Sequence, residues 1–287
     1  MDLAAFFGLA SALCYGTGDY LWQVAGRAVG LWRSSFYGSL VGLLALTAWL
    51  ILEPGVTVVA VTAAPRAALT ALAAGVALEA GSVLLTQGLI RGSIAVVAPV
   101  TAGYGAVTTA LAIANGAHFS RSVSSGLALI ITGACIVAIP GRRQPSDPHC
   151  RSGVGWAVAA AIFFGGGFWL QGAYAVPQLG PVLPVWMMYA AGVVLLGVLG
   201  LVARTDLSLP DRSMLAPLLL ASALGVGGFV TLTAGLSTGQ VAIVVVLSSL
   251  TSAITVLVAR IFGAAHVALH QWAAITAIVL GLILIHL

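Results

Sequence analysis

Ten apolar runs of about 20 residues follow one another along the chain, and each is long enough to cross a bilayer as a helix. The runs are continuous and do not alternate at period two, so they favour membrane helices over barrel strands. With 61% hydrophobic and 6% charged residues, the chain lacks the charged shell of a water-soluble fold. We therefore predict an all-α integral membrane protein with ten transmembrane helices. The predicted spans are 3–24, 34–52, 67–90, 93–115, 122–140, 153–175, 182–203, 214–236, 240–262 and 269–287.

Other classes of protein fit this composition poorly. The basic residues are all arginines and are too sparse for the clustered patch of a nucleic-acid-binding protein, so no nucleic-acid partner is expected. Cys14, Cys135 and Cys150 are scattered without CxxC spacing, so no disulfide framework, metal site or cofactor is predicted. No basic stretch precedes the first apolar run, and we expect a retained helix there instead of a signal peptide.

Two stretches of sequence occur twice at nearly the same separation. TQGLIRGSIAVVAPV at 86–100 and TAGLSTGQVAIVVVL at 233–247 share six of fifteen residues at an offset of 147 (233 − 86). CYGTGDYL at 14–21 and FFGGGFWL at 163–170 align at an offset of 149 (163 − 14). The chain therefore contains two related halves.

A charged, proline-containing linker separates these halves, and it predicts five-helix repeats at 1–140 and 153–287 joined by residues 141–152. Because five is odd, the second repeat must enter the membrane from the opposite side. Inverted repeats of this kind are a recurring plan of secondary transporters, which bind their substrate near the midplane where the repeats meet.

Helix breaks are predicted from proline and glycine. Pro99 has Val246 as its counterpart, and proline removes a backbone donor and kinks a helix. We therefore expect span 4 to bend at Pro99 and span 9 to be straighter. Glycines that we expect to act as hinges or helix breaks are Gly16, Gly18, Gly165, Gly166 and Gly167.

Two acidic residues lie inside predicted spans, where charge is costly and function is the default hypothesis. In span 1, Asp19 shares a helical face with Tyr15 and Trp22. In span 3, Glu79 shares a face with Ser82 and Thr86. Carboxylates beside hydroxyls and aromatic rings suit a substrate with an ammonium group and an apolar side chain. A structural alternative for Asp19 is a helix cap or an arginine pair at the membrane interface.

Aromatic and hydroxyl side chains complete the predicted site. Tyr104, Phe168 and Trp169 lie mid-span and could contact a bulky substrate, and Trp186 and Tyr189 are further aromatic candidates. The polar run SSLTSAIT at 248–255 favours helix packing, because small hydroxyl residues hydrogen-bond across membrane helices. Within it, Ser248 and Ser249 are included as candidate substrate contacts.

Gly235 to Gly239 matches the G-x-S-x-G pattern of a serine nucleophile, with Ser237 at its centre. That motif needs a strand–turn–helix setting, and here it falls in a predicted turn between two membrane helices. Its counterpart in the first half, Gly88 to Gly92, keeps the glycines without the serine. Turn glycines explain the match, and an intramembrane hydrolase remains only a remote alternative.

The ten spans, the two five-helix repeats, the Gly/aromatic first span and the proline in span 4 resemble the drug/metabolite transporter superfamily. Within it the chain is similar to the EamA-type permeases, which include exporters of amino acids. The resemblance implies a cavity lined by spans 1, 3, 4, 6, 8 and 9 and an acidic residue in span 3, at Glu79. Many members have Trp-Pro in span 4, whereas this chain has Ala98-Pro99.

The orientation of the termini is predicted differently by two arguments. Nine arginines follow odd-numbered spans and two follow even-numbered spans, which places the midpoint linker in the cytoplasm and the termini outside. The family resemblance favours both termini inside. The nine arginines are Arg27, Arg33, Arg91, Arg142, Arg143, Arg151, Arg204, Arg212 and Arg260, and the two are Arg66 and Arg121.

Together these features predict a secondary transporter, not an enzyme, in a bacterial-type inner membrane. We expect it to export neutral amino acids, bulky and aromatic ones included, by alternating access. Its expected partners are the small-molecule substrate, the lipid bilayer and, as a further candidate, protons. Export of lipophilic cationic drugs or of another small metabolite is the alternative that the same carboxylates would serve.

Overall fold

The computed structural model describes residues 3–52, 64–137 and 153–262, together with isolated residues between 270 and 284. Within these residues all regular structure is helical. The linker at 141–152 and most of span 10 lie outside them, so the prediction of ten spans extends beyond the part of the chain that is described.

Helices occupy each of the first nine predicted spans. Seven helical stretches among the described residues are long and apolar enough to cross a membrane. The helices are α1 Leu3–Val29, α2 Leu31–Leu52, α3 Pro65–Arg91, α4 Ile94–Thr101, α5 Tyr104–Ala114, α6 Arg121–Val137, α7 Val154–Leu170, α8 Val176–Leu179, α9 Val182–Val202, α10 Arg212–Leu236, α11 Val241–Ser248 and α12 Thr251–Ile261, with a π-helical segment at Gln171–Ala175 between α7 and α8.

Spans 4 and 9 are each interrupted by a two-residue break. Residues 102–103 separate α4 from α5 and residues 249–250 separate α11 from α12, and every helix boundary in one pair lies 147 residues from its counterpart. The expectation that span 9 would be straighter is therefore wrong. In span 9 the Ser249 hydroxyl donates to the Val246 carbonyl at 2.6 Å, a local bond that competes with the helix and bends it without proline.

The predicted helix breaks at the glycines are also wrong. Helix α1 continues through Gly16 and Gly18, and α7 continues through Gly165, Gly166 and Gly167. The departure from α-helix in span 6 begins four residues later, at the π-helical segment. In membrane helices small residues often serve close packing instead, and four of these five glycines have near neighbours on another helix.

In the closest of these contacts, a glycine of each half packs against a residue of the other half. A Cβ atom built on Gly16 would lie 2.5 Å from the Ile254 Cβ, and one on Gly165 would lie 2.5 Å from the Val107 Cβ. Ile254 is the counterpart of Val107 at the offset of 147, as Gly165 is of Gly16 at 149 (165 − 16). Span 1 thus packs on span 9 as span 6 packs on span 4, which is the pattern that two related halves produce.

The repeated glycines at the span 3–4 and span 8–9 connections are not all turn residues. Gly88 and Gly235 lie inside helices. A Cβ on Gly88 would lie 3.1 Å from the Val97 side chain, and one on Gly235 would lie 2.6 Å from the Val244 side chain. Val97 and Val244 are themselves counterparts at the offset of 147. Gly239 has a φ of 82° and is the turn glycine. The motif therefore combines a close helix contact with a turn.

Candidate functional site

A cavity lies in the middle of the helices, with about 920 Å³ of space free of protein atoms, counting its mouth. Helices α1, α3, α4, α5, α7, α10 and α12 line it, in agreement with the spans that the family resemblance implies. Helices α2 and α9 also line it, so spans 2 and 7 must be added to that set. Ala98, which precedes Pro99, also lines the cavity.

Most residues of the predicted site reach this cavity. Trp169, Ser248 and Ser249 do not line it. The predicted residues that do are Tyr15, Asp19, Trp22, Glu79, Ser82, Thr86, Tyr104 and Phe168, joined by Tyr189 from the further aromatic candidates.

The three exceptions serve packing. Trp169 is absent from the cavity lining and makes an edge-on ring contact with Tyr174, which is itself exposed. Ser248 is fully buried and hydrogen-bonds to Ser11 and Tyr104. Ser249 bonds to its own helix, as described above. A shift of one position along a helix can decide whether a side chain reaches the cavity. Phe168 and Trp169 are neighbours in sequence, but their side chains project about 100° apart around the helix axis.

Each carboxylate of the site is held by one hydroxyl group. Ser39 donates to Glu79 at 2.5 Å, and Thr255 donates to Asp19 at 3.3 Å. Both side chains are less than 8% exposed, and neither forms an ion pair within the described part of the chain. A carboxylate can accept about four hydrogen bonds, so both groups keep unused acceptor sites.

Four hydroxyl groups of the cavity wall have no hydrogen-bond partner within the described residues. They belong to Tyr15, Ser35, Thr101 and Thr251, and all four side chains line the cavity. A buried polar group without a partner is costly, and its cost is removed when a ligand supplies the bond. All four oxygen atoms are themselves buried, so they would bind a polar solute only after the side chains around them move.

Aromatic rings form one side of the cavity as a continuous cluster. Tyr104 contacts Phe164 and Phe168 edge-on, Phe168 packs against Phe229, and Phe229 contacts Tyr189 edge-on. These rings come from both halves of the chain. They offer an apolar surface of the size that a bulky side chain would need.

Several lining residues were missed by sequence reasoning. Ser35 and Ser39 in α2 are four residues apart and so share a helical face, a signal that could have identified them. Ser222, Phe164 and Phe229 carried no comparable signal, because small and aromatic residues recur throughout so apolar a chain.

No basic residue is among the described side chains that line the cavity. Within the same part of the chain, no three His, Cys, Asp or Glu residues come together as a metal site would require. Ser237 lies outside the cavity at the end of α10, exposed, with its hydroxyl donating to the Ala234 carbonyl at 2.7 Å. This is the setting of a helix end and not of a nucleophile.

Hydrogen bonds between the start of α2 and the loop that follows α9 join the two halves of the chain. Arg33 at the start of α2 donates to the carbonyls of Ser208 and Leu209 and lies 3.9 Å from the Asp206 carboxylate. Hydrogen bonds from the backbone and the hydroxyl of Ser208 hold the pKa of Asp206 below its usual value. Tyr37 adds a bond to the same loop, at the Leu207 carbonyl.

Fold and site together define a helical membrane protein with a central, acidic and aromatic cavity. Residues 151–287 match the sequence model of the EamA-like transporter family. One crystal structure, described only as that of a protein, matches with a TM-score of 0.75 at 15% identity, covering 98% of this chain and 95% of the other. That likeness shows a shared fold. No curated protein matches the chain.

Proposed function

We propose that this protein is a secondary transporter that exports small solutes bearing an ammonium group and an apolar body. Neutral amino acids with bulky or aromatic side chains are the first candidates. The observation that carries the proposal is the pair of buried carboxylates, Asp19 and Glu79, facing one cavity whose described lining includes no cation.

The chemistry of the wall supports this class of solute. Charge within a membrane protein is costly unless it is partnered, and each carboxylate has only one neutral hydroxyl as its partner. An ammonium group would supply the missing charge and several donors. The aromatic cluster would hold the apolar side chain, and the hydroxyls without partners would bind the remaining polar atoms of the solute.

The organisation of the chain supports transport by alternating access. Equal offsets of the breaks and the exchanged glycine contacts are what two repeats of opposite topology would produce. We therefore propose ten spans, with repeats at 1–140 and 153–287 joined by the linker at 141–152. A bacterial-type inner membrane is the proposed location.

A second candidate substrate is a lipophilic organic cation. The same carboxylates would bind its charge, and the absence of a basic residue from the described lining suits a solute that has no carboxylate. Both candidates need the acidic residues, so a substrate screen must separate them.

The test is counterflow in liposomes that contain the purified protein. We expect labelled phenylalanine, leucine or threonine to accumulate against unlabelled solute, and Glu79→Gln to reduce the rate by about 10-fold or more, because one charge-assisted bond is lost. Asp206→Asn is the matched control, since it neutralises a carboxylate in the exposed loop, and its rate should equal that of the wild type.

Failure of all three amino acids to accumulate would refute the amino-acid proposal. If Glu79→Gln left amino-acid counterflow intact and abolished efflux of a lipophilic cationic dye, the second candidate would replace the first. Uptake into inverted and right-side-out vesicles then distinguishes export from import, and a reporter fused to Leu287 fixes the orientation.

A further inference from the structure

Gln171 is the most anomalous buried residue outside the cavity. Its side chain is fully buried, and neither the Oε1 nor the Nε2 atom has a hydrogen-bond partner within the described residues. It begins the π-helical segment Gln171–Ala175, a helix form found frequently at functional sites. An amide without hydrogen-bond partners lowers stability in an apolar interior. Its presence here therefore suggests that Gln171 forms hydrogen bonds in another conformation of the protein.

The position of Gln171 in the second half corresponds to a cavity position in the first half. At the offset of 149 its counterpart is Trp22, which lines the cavity (171 − 22). The glycine pair Gly18 and Gly167, four residues earlier in each half, has the same offset. The register therefore holds up to the start of the π-helical segment.

Other residues that line the cavity also have counterparts in the second half that are buried and do not line it. Thr86, Leu89 and Thr101 line the cavity, and the residues 147 positions later are each 0% exposed and absent from its lining. These counterparts are Thr233, Leu236 and Ser248. The second half thus contains a buried set of residues that matches one wall of the open cavity, with Gln171 among them.

The two sets lie toward different faces of the membrane if the repeats are inverted. The cavity residues of α1, α3 and α4 cluster toward the α1–α2 and α3–α4 connections. Their counterparts cluster toward the connections after span 6 and between spans 8 and 9. An inverted repeat places those connections on the opposite face.

We infer that Gln171, Thr233, Leu236 and Ser248 form a second vestibule, which opens to the opposite face when the present cavity closes. The Gln171 amide then contacts the passing solute: its Oε1 atom accepts a hydrogen bond from the ammonium group, and its Nε2 atom donates one to the carboxylate. This inference rests on the proposed transport function. It assigns the unpartnered amide a ligand in the second conformation of the protein.

The test is labelling of single cysteines from each face of the membrane. With the three native cysteines replaced by serine, Gln171→Cys, Ser39→Cys and Ala160→Cys are placed in liposomes and treated with a membrane-impermeant maleimide. Ser39 lines the present cavity, whereas Ala160 of α7 is 0% exposed and absent from its lining. We expect Gln171→Cys and Ser39→Cys to be labelled from opposite faces, and Ala160→Cys from neither.

Protection of Gln171→Cys from both faces, or its labelling from the same face as Ser39→Cys, would overturn the second vestibule while leaving the proposed function in place. Protection of Ser39→Cys from both faces would instead remove the proposed function and the inference with it.

Gln171→Leu provides a second measurement that does not depend on labelling. Leucine fills a similar volume without polar atoms, so we expect the thermal midpoint in detergent to rise and the counterflow rate to fall several-fold. A lower midpoint would show that the amide has a structural partner and would overturn the inference. So would an unchanged counterflow rate.

Discussion

Gly165 and Gly166 are adjacent glycines of α7 that test whether this segment packs or bends. A Cβ on Gly165 would lie 2.5 Å from the Val107 Cβ and 2.9 Å from the Tyr104 carbonyl oxygen, whereas a Cβ on Gly166 would meet nothing within 4 Å. The same substitution, glycine to alanine, therefore creates a clash at one position and none at the next.

The difference in stability follows from two terms. Alanine improves helix propensity at either position by about 1 kcal/mol. Overpacking at Gly165 costs about 1–3 kcal/mol, toward the upper end because the Tyr104 carbonyl belongs to the backbone and cannot rotate away. The propensity term cancels in the comparison, so Gly165→Ala should unfold about 1–3 kcal/mol more easily than Gly166→Ala.

Thermal denaturation of the two variants in detergent measures this difference. We expect midpoints separated by about 2–12 °C, with Gly166→Ala at or above the wild type. Counterflow should fall only in Gly165→Ala, because displacement of Tyr104 disturbs the wall of the cavity. If both variants lost transport to the same extent with equal midpoints, the glycines would act as a hinge and the packing explanation would be refuted.

Four further predictions use the same assays. Phe168→Leu should lower counterflow several-fold and Trp169→Leu should not, because only Phe168 reaches the cavity; equal losses would contradict this assignment. Arg33→Ala should lower the thermal midpoint more than Asp206→Asn, because Arg33 also donates to two loop carbonyls, whereas an exposed ion pair contributes little. Since the pKa of Asp206 is lowered, its small contribution should be present at neutral pH and lost on acidification, as a pH series of midpoints would show. Ser237→Ala should leave transport unchanged, and a loss of activity would revive the hydrolase alternative.

Much of the candidate site was predictable because charge in a membrane span has few explanations. Asp19 and Glu79 stood out on cost alone, and helical periodicity assigned Tyr15, Trp22 and Thr86 to the same cavity. The hydroxyl partners of the carboxylates could not be found in this way, since a serine or threonine is also an ordinary packing residue of a membrane helix.

The sequence alone determined the helical class, the positions of the first nine spans and the register between the stretches that occur twice. The helical class and the spans follow from the apolar length that is needed to cross a bilayer, and the register follows from residues repeated at fixed offsets. Both features can be identified from the order of the residues, without knowledge of their contacts in space. Tertiary structure decided what the glycines do, where spans 4 and 9 break, and that Phe168 faces the cavity while Trp169 does not. Those outcomes depend on which neighbouring helix lies within a few ångströms of a given face, and no local pattern in an almost uniformly apolar chain specifies that neighbour.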